Sequence, residues 1–209
     1  CRGLQPGCPR ERASKMKYDL YLVGVGGQGI LTIGDLVTEA ALRSGIPANF
    51  YPTKGMAQRG GFVKAQVRLG REMVGPQIPE KSAELAIAME RSEALKALRF
   101  LKPGGDLLLF GHVWQPTAVM LDKAPYPGLE TLEEQAAAAE VVLHYLDPAG
   151  VPELDGRLVP ANVYVLGAAL GLTGLGKVLD PASVEELVIS RRKRGVDANR
   201  LAFRAGLGN

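Results

Sequence analysis

The run from Tyr18 to Gly45 constrains the fold more than any other part of the chain. Tyr18–Val23 (YDLYLV) is a short apolar run bounded by glycine, the pattern of a buried strand. Gly24-Val25-Gly26-Gly27-Gln28-Gly29 follows as a tight loop. Ile30, Ile33, Leu36, Val37, Ala40 and Ala41 then recur at the spacing of one helix face, and Gly45 and Pro47 end that helix near Ser44. Gly24, Gly26 and Gly29 satisfy G-x-G-x-x-G after a strand and before a helix. Glycines permit the turn and a close backbone approach, and the first free N–H groups of the helix favour a phosphate or carboxylate. The same loop arises where glycines only let a helix pack on its sheet, so both readings stay open. A dinucleotide site also needs an acid near the end of the second strand, and Ile46–Tyr51 has none. No G-K-[ST] follows the loop, so a P-loop is excluded too.

The rest of the chain continues the alternation of strand and helix. Ala48–Tyr51 reads as a short strand and residues 52–61 as a glycine-rich loop. Phe62–Leu69 alternates, with Val63, Ala65, Val67 and Leu69 on a covered face and Phe62, Lys64, Gln66 and Arg68 on a polar one. Strands are expected at Glu84–Met89, Asp106–Phe110 and Val141–Leu146, with Pro103-Gly104-Gly105 turning the chain into the second of these. Helices are expected at Ser92–Leu101, Thr131–Glu140, Asn162–Leu175, Ser183–Arg194 and Ala198–Ala205. This predicts an α/β fold: one domain over residues 16–209, with a mostly parallel sheet flanked by helices.

Composition narrows the function. Residues 1–15 hold four basic side chains and one acidic, which accounts for the whole net charge of +3; the remainder has 21 of each sign. A neutral domain is a poor nucleic-acid binder. The two cysteines, Cys1 and Cys8, lie in that same stretch, so no four-cysteine zinc or iron–sulfur site is expected. Residues 1–15 lack the apolar core of a signal peptide, and Met16-Lys17 reads like a natural start. They are expected to be a disordered, dispensable extension, and the protein to be cytoplasmic. The 19 uncharged residues Leu158–Gly176 approach the length of a membrane span. Pro160, Asn162, Thr173 and four glycines make a buried helix the better reading, so no membrane is expected.

Two loops taken together carry a resemblance. Gly24–Ile30 (GVGGQGI), Thr53–Gly61 (TKGMAQRGG) and a strand ending Val67-Arg68-Leu69-Gly70 resemble the gamma-type domain of 2-oxoacid:ferredoxin oxidoreductases. The similarity continues through Glu84–Leu95, Leu101–Leu108, Asn162–Ala168 and Asn199–Gly206, and so covers roughly residues 16–206. Gly55–Gly61 (GMAQRGG) points to the small (beta) subunits of the indolepyruvate type, although Pro52-Thr53-Lys54 departs from the Glu-Thr-His expected before it.

The resemblance implies oxidative decarboxylation of a 2-oxoacid, here indolepyruvate or an aryl pyruvate, to an acyl-coenzyme A with electrons passed to ferredoxin. It further implies that thiamine diphosphate, magnesium and 4Fe-4S clusters sit in a large partner subunit, because this chain has neither a G-D-G motif nor cluster cysteines. No catalytic or metal-ligating residue is assigned to this chain, which alone is expected to be inactive. The candidate site combines Gly24, Gly26, Gly27, Gln28 and Gly29 with Lys54, Gly55, Gln58, Arg59, Gly60 and Gly61. If both loops meet at the carboxyl edge of the sheet, backbone donors, two cations and an amide surround a place for coenzyme A. A subunit contact through Arg59 is the rival. A free-standing nucleotide- or flavin-binding oxidoreductase and a scaffold without ligand are the alternative functions. His112 and His144 are read as structural, and Arg191–Arg194 as a solvated helix end.

Overall fold

The computed structural model describes residues 16–54, 61–113, 126–191 and 195–209. The expectations for residues 1–15, and those for Gly55, Gln58, Arg59 and Gly60, lie outside the described residues, as does the side chain of Lys54.

Six strands form one sheet: β1 (Tyr18–Val25), β2 (Ala48–Lys54), β3 (Phe62–Leu69), β4 (Ala83–Ala88), β5 (Leu101–Phe110) and β6 (Val142–Leu146). Their order is β2-β3-β1-β4-β5-β6. The pairings β1–β4, β4–β5 and β5–β6 are parallel, and β3 runs antiparallel to both β1 and β2. The helices are α1 (Ile30–Arg43), α2 (Arg91–Ala97), α3 (Leu129–Ala138), α4 (Ala161–Leu172), α5 (Leu175–Val178), α6 (Pro181–Ser190) and α7 (Val196–Leu207). A two-residue hairpin, Glu153–Leu154 with Arg157–Leu158, precedes α4 and was not legible in the sequence.

One face of the sheet (Leu20, Leu22, Ala65, Val67, Leu85, Leu108) packs on α1, α4, α6 and α7. The other (Tyr21, Val23, Ala86, Leu107, Leu109) packs on α2 and α3. The expected α1 face is buried residue for residue, with Gly34 added. The uncharged run forms α4, buried from Val163 to Leu170. It lies directly on the backbone of α7: a Cβ at Gly167 would sit 2.2 Å from the Phe203 carbonyl oxygen, and one at Gly206 1.9 Å from that of Tyr164. Among the described residues no helix is long and apolar enough to cross a membrane.

Beside shifts of one to three residues elsewhere, such as α4 ending at Leu172 rather than Leu175, three departures from the expected boundaries stand out. β1 runs through Gly24 and Val25, and β2 through Pro52–Lys54, because both pair with β3 to its start; Pro52 is tolerated on an edge strand. β5 begins at Leu101, where Ala83 pairs with Leu101 before the register shifts at the glycines, so Pro103-Gly104-Gly105 lie inside the strand and cut the preceding helix back to Ala97. α6 stops at Ser190 rather than reaching Arg194.

The fourth difference is chemical. Gln66 and Arg68, read as a polar face, are buried. Among the described residues no helix covers that side of β2 and β3; residues 70–82 cross it as an irregular strap. Strap backbone groups need partners, and the polar side chains supply them. Asn49 Nδ2 donates to Arg71 O (2.8 Å), Tyr51 Oη to Val74 O (2.6 Å) and Arg68 Nη1 to Gly75 O (3.1 Å), while Ile78 N–H donates to Gln66 Oε1 (2.6 Å).

Candidate functional site

The connection after β1 leads through α1 to β2 on one side of the sheet, and that after β4 leads through α2 to β5 on the other. The strand order therefore reverses between the carboxyl ends of β1 and β4, the usual ligand crevice of an open α/β sheet. The glycine loop sits there. Gly27 (φ 104°) and Gly29 (φ 78°) hold left-handed backbone that side chains disfavour. Gly26 N–H donates to Gly61 O at 2.9 Å, which joins the first loop to the last residue of the second. Lys54, the end of β2, pairs with Val63, so the two described ends of the second loop lie side by side at this edge.

Gln28 points inward. Its Oε1 accepts from Val25 N–H at 2.7 Å and its Nε2 donates to Met89 O at 2.9 Å. Gly24, expected in the loop, lies in the strand beneath this amide, where a Cβ would sit 2.6 Å from Gln28 Oε1.

A cavity of about 380 Å³ opens above the loop, lined by Gly27, Gln28, Gly29 and Thr32 and, across from them, by Met89, Phe110, His112, Ala161 and Asn162. Two helices begin at its wall. α1 has Gly29 as its N-cap and α4 has Pro160; neither N-cap makes a side-chain capping bond, and neither first turn holds an acid. Their first N–H groups and positive dipole ends lie at a volume whose lining, among the described residues, carries no carboxylate. Glu90, next to Met89, is buried and occupied: it accepts from Ser92 Oγ (2.5 Å), Glu93 N (3.1 Å) and the Tyr126 hydroxyl. Burial and this carboxylate raise the Tyr126 pKa, which keeps the phenol protonated as the donor. The arrangement suits an anionic group of phosphate size with an apolar neighbour at Phe110 and Met89.

The sequence located the loop but not its opposite wall. His112, which follows a strand at the carboxyl edge, lines the cavity wall. Asn162 was the one polar residue in the first turn of the uncharged helix; a Cβ on Gly29 would meet its Nδ2 at 2.7 Å. His144 instead pairs with Asp106 at 2.9 Å, away from the cavity. Among the described residues no group of three or more His, Cys, Asp or Glu is placed to hold a metal ion.

Fold and site together define an open α/β domain with a glycine-loop cavity where the strand order reverses. The family model for pyruvate ferredoxin/flavodoxin oxidoreductase matches residues 19–208, and the chain belongs to that family. It is 34% identical over 201 residues to the indolepyruvate oxidoreductase subunit IorB of Methanothermobacter thermautotrophicus, covering 92% of this chain and 97% of that one. The subunit of the same name from Thermococcus kodakarensis is 32% identical, covering 91% and 95%. Among solved structures, the pyruvate oxidoreductase subunit PORC of Thermotoga maritima superposes with a TM-score of 0.69 at 20% identity, over 93% of this chain and 97% of that one. The 2-oxoglutarate:ferredoxin oxidoreductase of Magnetococcus marinus, with 2-oxoglutarate, coenzyme A and succinyl-CoA bound, superposes at 0.61 and 18% identity, over 93% of this chain and 31% of that one.

Proposed function

We propose that this chain is the small, non-catalytic subunit of an indolepyruvate-type 2-oxoacid:ferredoxin oxidoreductase. The observation that carries the reading is the 34% identity with an indolepyruvate oxidoreductase subunit along nearly the full length of both chains. The complex decarboxylates an aryl pyruvate, passes two electrons to ferredoxin and transfers the acyl group to coenzyme A, in the cytoplasm. Thiamine diphosphate, magnesium and iron–sulfur clusters fit a large partner subunit better than this chain, whose cysteines are Cys1 and Cys8 alone. This chain provides the glycine-loop cavity, where the starts of α1 and α4 receive a phosphate of coenzyme A and Lys54 and Arg59 add charge from the second loop.

Two measurements test this. The isolated chain should not turn over indolepyruvate with added thiamine diphosphate, magnesium, coenzyme A and ferredoxin, whereas the assembled complex should; turnover by the isolated chain would sink the reading. In the complex, Arg59→Lys keeps the charge but loses the planar fork. If Arg59 clamps phosphate, the change costs roughly 1.5–3 kcal/mol, or one to two powers of ten in the coenzyme A requirement, with the complex intact. Weakened assembly with an unchanged coenzyme A requirement would assign Arg59 to the subunit interface instead.

A further inference from the structure

The glycine fingerprint holds a side chain where a dinucleotide would lie. In an open α/β sheet a dinucleotide binds in the crevice at the carboxyl ends of the two strands that flank the order reversal, over a turn that the first glycine makes tight and the second lets it approach. Here those ends are marked by Val25 and by Met89, the residue just after β4, and Gln28 spans them with one bond to each. Gly24 lacks a Cβ under the amide oxygen of Gln28, not under an open volume. Both functional ends of the amide are therefore engaged by the chain's own backbone, and the crevice is filled from within.

We propose that Gln28 is a positioning residue: a staple that closes the crevice and holds the peptide groups of Gly26–Gly29 at the cavity, so that ligand is received above the loop rather than between the strands. This rests on the reading that the cavity receives coenzyme A. The Gln28 amide orients the loop and does not contact the ligand. The loop would otherwise hinge at Gly27, whose surroundings are open within 4 Å, leaving the turn without a fixed orientation toward the start of α4. Preorganised donors bind without an ordering cost at the moment of binding.

The test uses the assembled complex with Gln28→Met, which keeps the length and loses both bonds, and Gln28→Glu, which keeps an acceptor for Val25 N–H and loses the donor to Met89. Amide hydrogen exchange without coenzyme A reads the staple. Val25 should exchange at least tenfold faster in Gln28→Met and near the unsubstituted rate in Gln28→Glu. Steady-state kinetics read the site: the coenzyme A KM should rise about tenfold in Gln28→Met, with kcat and the 2-oxoacid KM within twofold. Faster exchange with an unmoved coenzyme A KM would make the staple a stability device and overturn the proposal. A raised KM with unchanged exchange would make Gln28 a direct contact and overturn it too. If substitutions at Lys54, Arg59 and Gln28 all leave the coenzyme A KM unmoved, the reading of the cavity fails and the positioning role with it, while the exchange result still stands.

Discussion

The two ends of β1 solve opposite problems. At the amino end Asp19 is fully buried and every demand it makes is met within the chain. Arg68 Nε and Nη2 hold its two oxygens at 3.1 and 2.9 Å, Arg71 Nη2 adds a third contact at 3.2 Å, and the Asp19 N–H donates to Glu84 Oε2. At the carboxyl end the same strand leads to a cavity where two helices start, whose N-caps make no side-chain bond and whose lining, among the described residues, holds no carboxylate. A buried charge is tolerated only when paired, so the first end serves stability. Unclaimed donors beside an open volume are what an anionic ligand needs, so the proposed function is placed at the second end.

The largest effect should come from breaking the paired end. Asp19→Ala leaves Arg68 buried without its carboxylate and should cost about 3–5 kcal/mol. For a chain of this size that is a fall of roughly 6–20 °C in melting temperature. Arg71→Ala, which removes the more exposed partner, should cost far less. Equal effects in thermal denaturation would mean that the two arginines share the charge and that the Arg68 fork is not decisive.

A smaller effect is expected at the open end. Gly29→Ala must adopt left-handed backbone and push into Asn162, whereas Gly27→Ala faces only the backbone demand because nothing lies within 4 Å of its added Cβ. Left-handed strain is worth about 1–2 kcal/mol in either case. Gly29→Ala should therefore destabilise the chain more than Gly27→Ala, and adding Asn162→Ala should recover the difference. Denaturant titrations of the three variants would show whether Gly29 and Asn162 are truly in contact; no recovery would separate the two walls of the cavity.

The smallest effect concerns Tyr18, beside Asp19. Among the described residues its buried hydroxyl makes no hydrogen bond of normal geometry; burial raises its pKa, nearby Thr173 opposes the rise and the Asp106 carboxylate adds to it. A raised folded pKa contributes stability that is complete below the ordinary tyrosine value and is lost as pH rises above about 10. Tyr18→Phe should be neutral or slightly stabilising at pH 7, since it removes an unsatisfied buried group. It should also flatten the decline of melting temperature above about pH 10. An unchanged alkaline limb would transfer that decline to Tyr21 and Tyr126, whose pKa values are raised as well.

What was legible follows a physical line. The β1–loop–α1 unit could be read because each signal is local: apolar spacing, glycines, and a proline after the helix. The parallel arrangement followed from alternation. The burial of Gln66 and Arg68 could not be read, because alternation reports which residues share a face but not what covers it; a strap of bare backbone calls for polar neighbours where a helix would call for apolar ones. The entry of Leu101 into β5 escaped for a related reason, since pairing with Ala83 outweighs the glycines at 104 and 105. Gln28 is a site candidate from its loop alone, whereas the direction of its amide depends on Met89, just after β4.

The sequence by itself determined the elements, the apolar faces and the place of the glycine loop after the first strand, because these depend on residues a few positions apart. The tertiary structure decided which polar groups are used up and which are left over. Asp19 meets Arg68 across 49 residues, Gln28 meets Met89 across 61, and Gly29 meets Asn162 only after α4 has folded back over the sheet. A hydrogen bond is satisfied by whatever donor lies within about 3 Å, and a chain brings distant donors that close only when its core has packed.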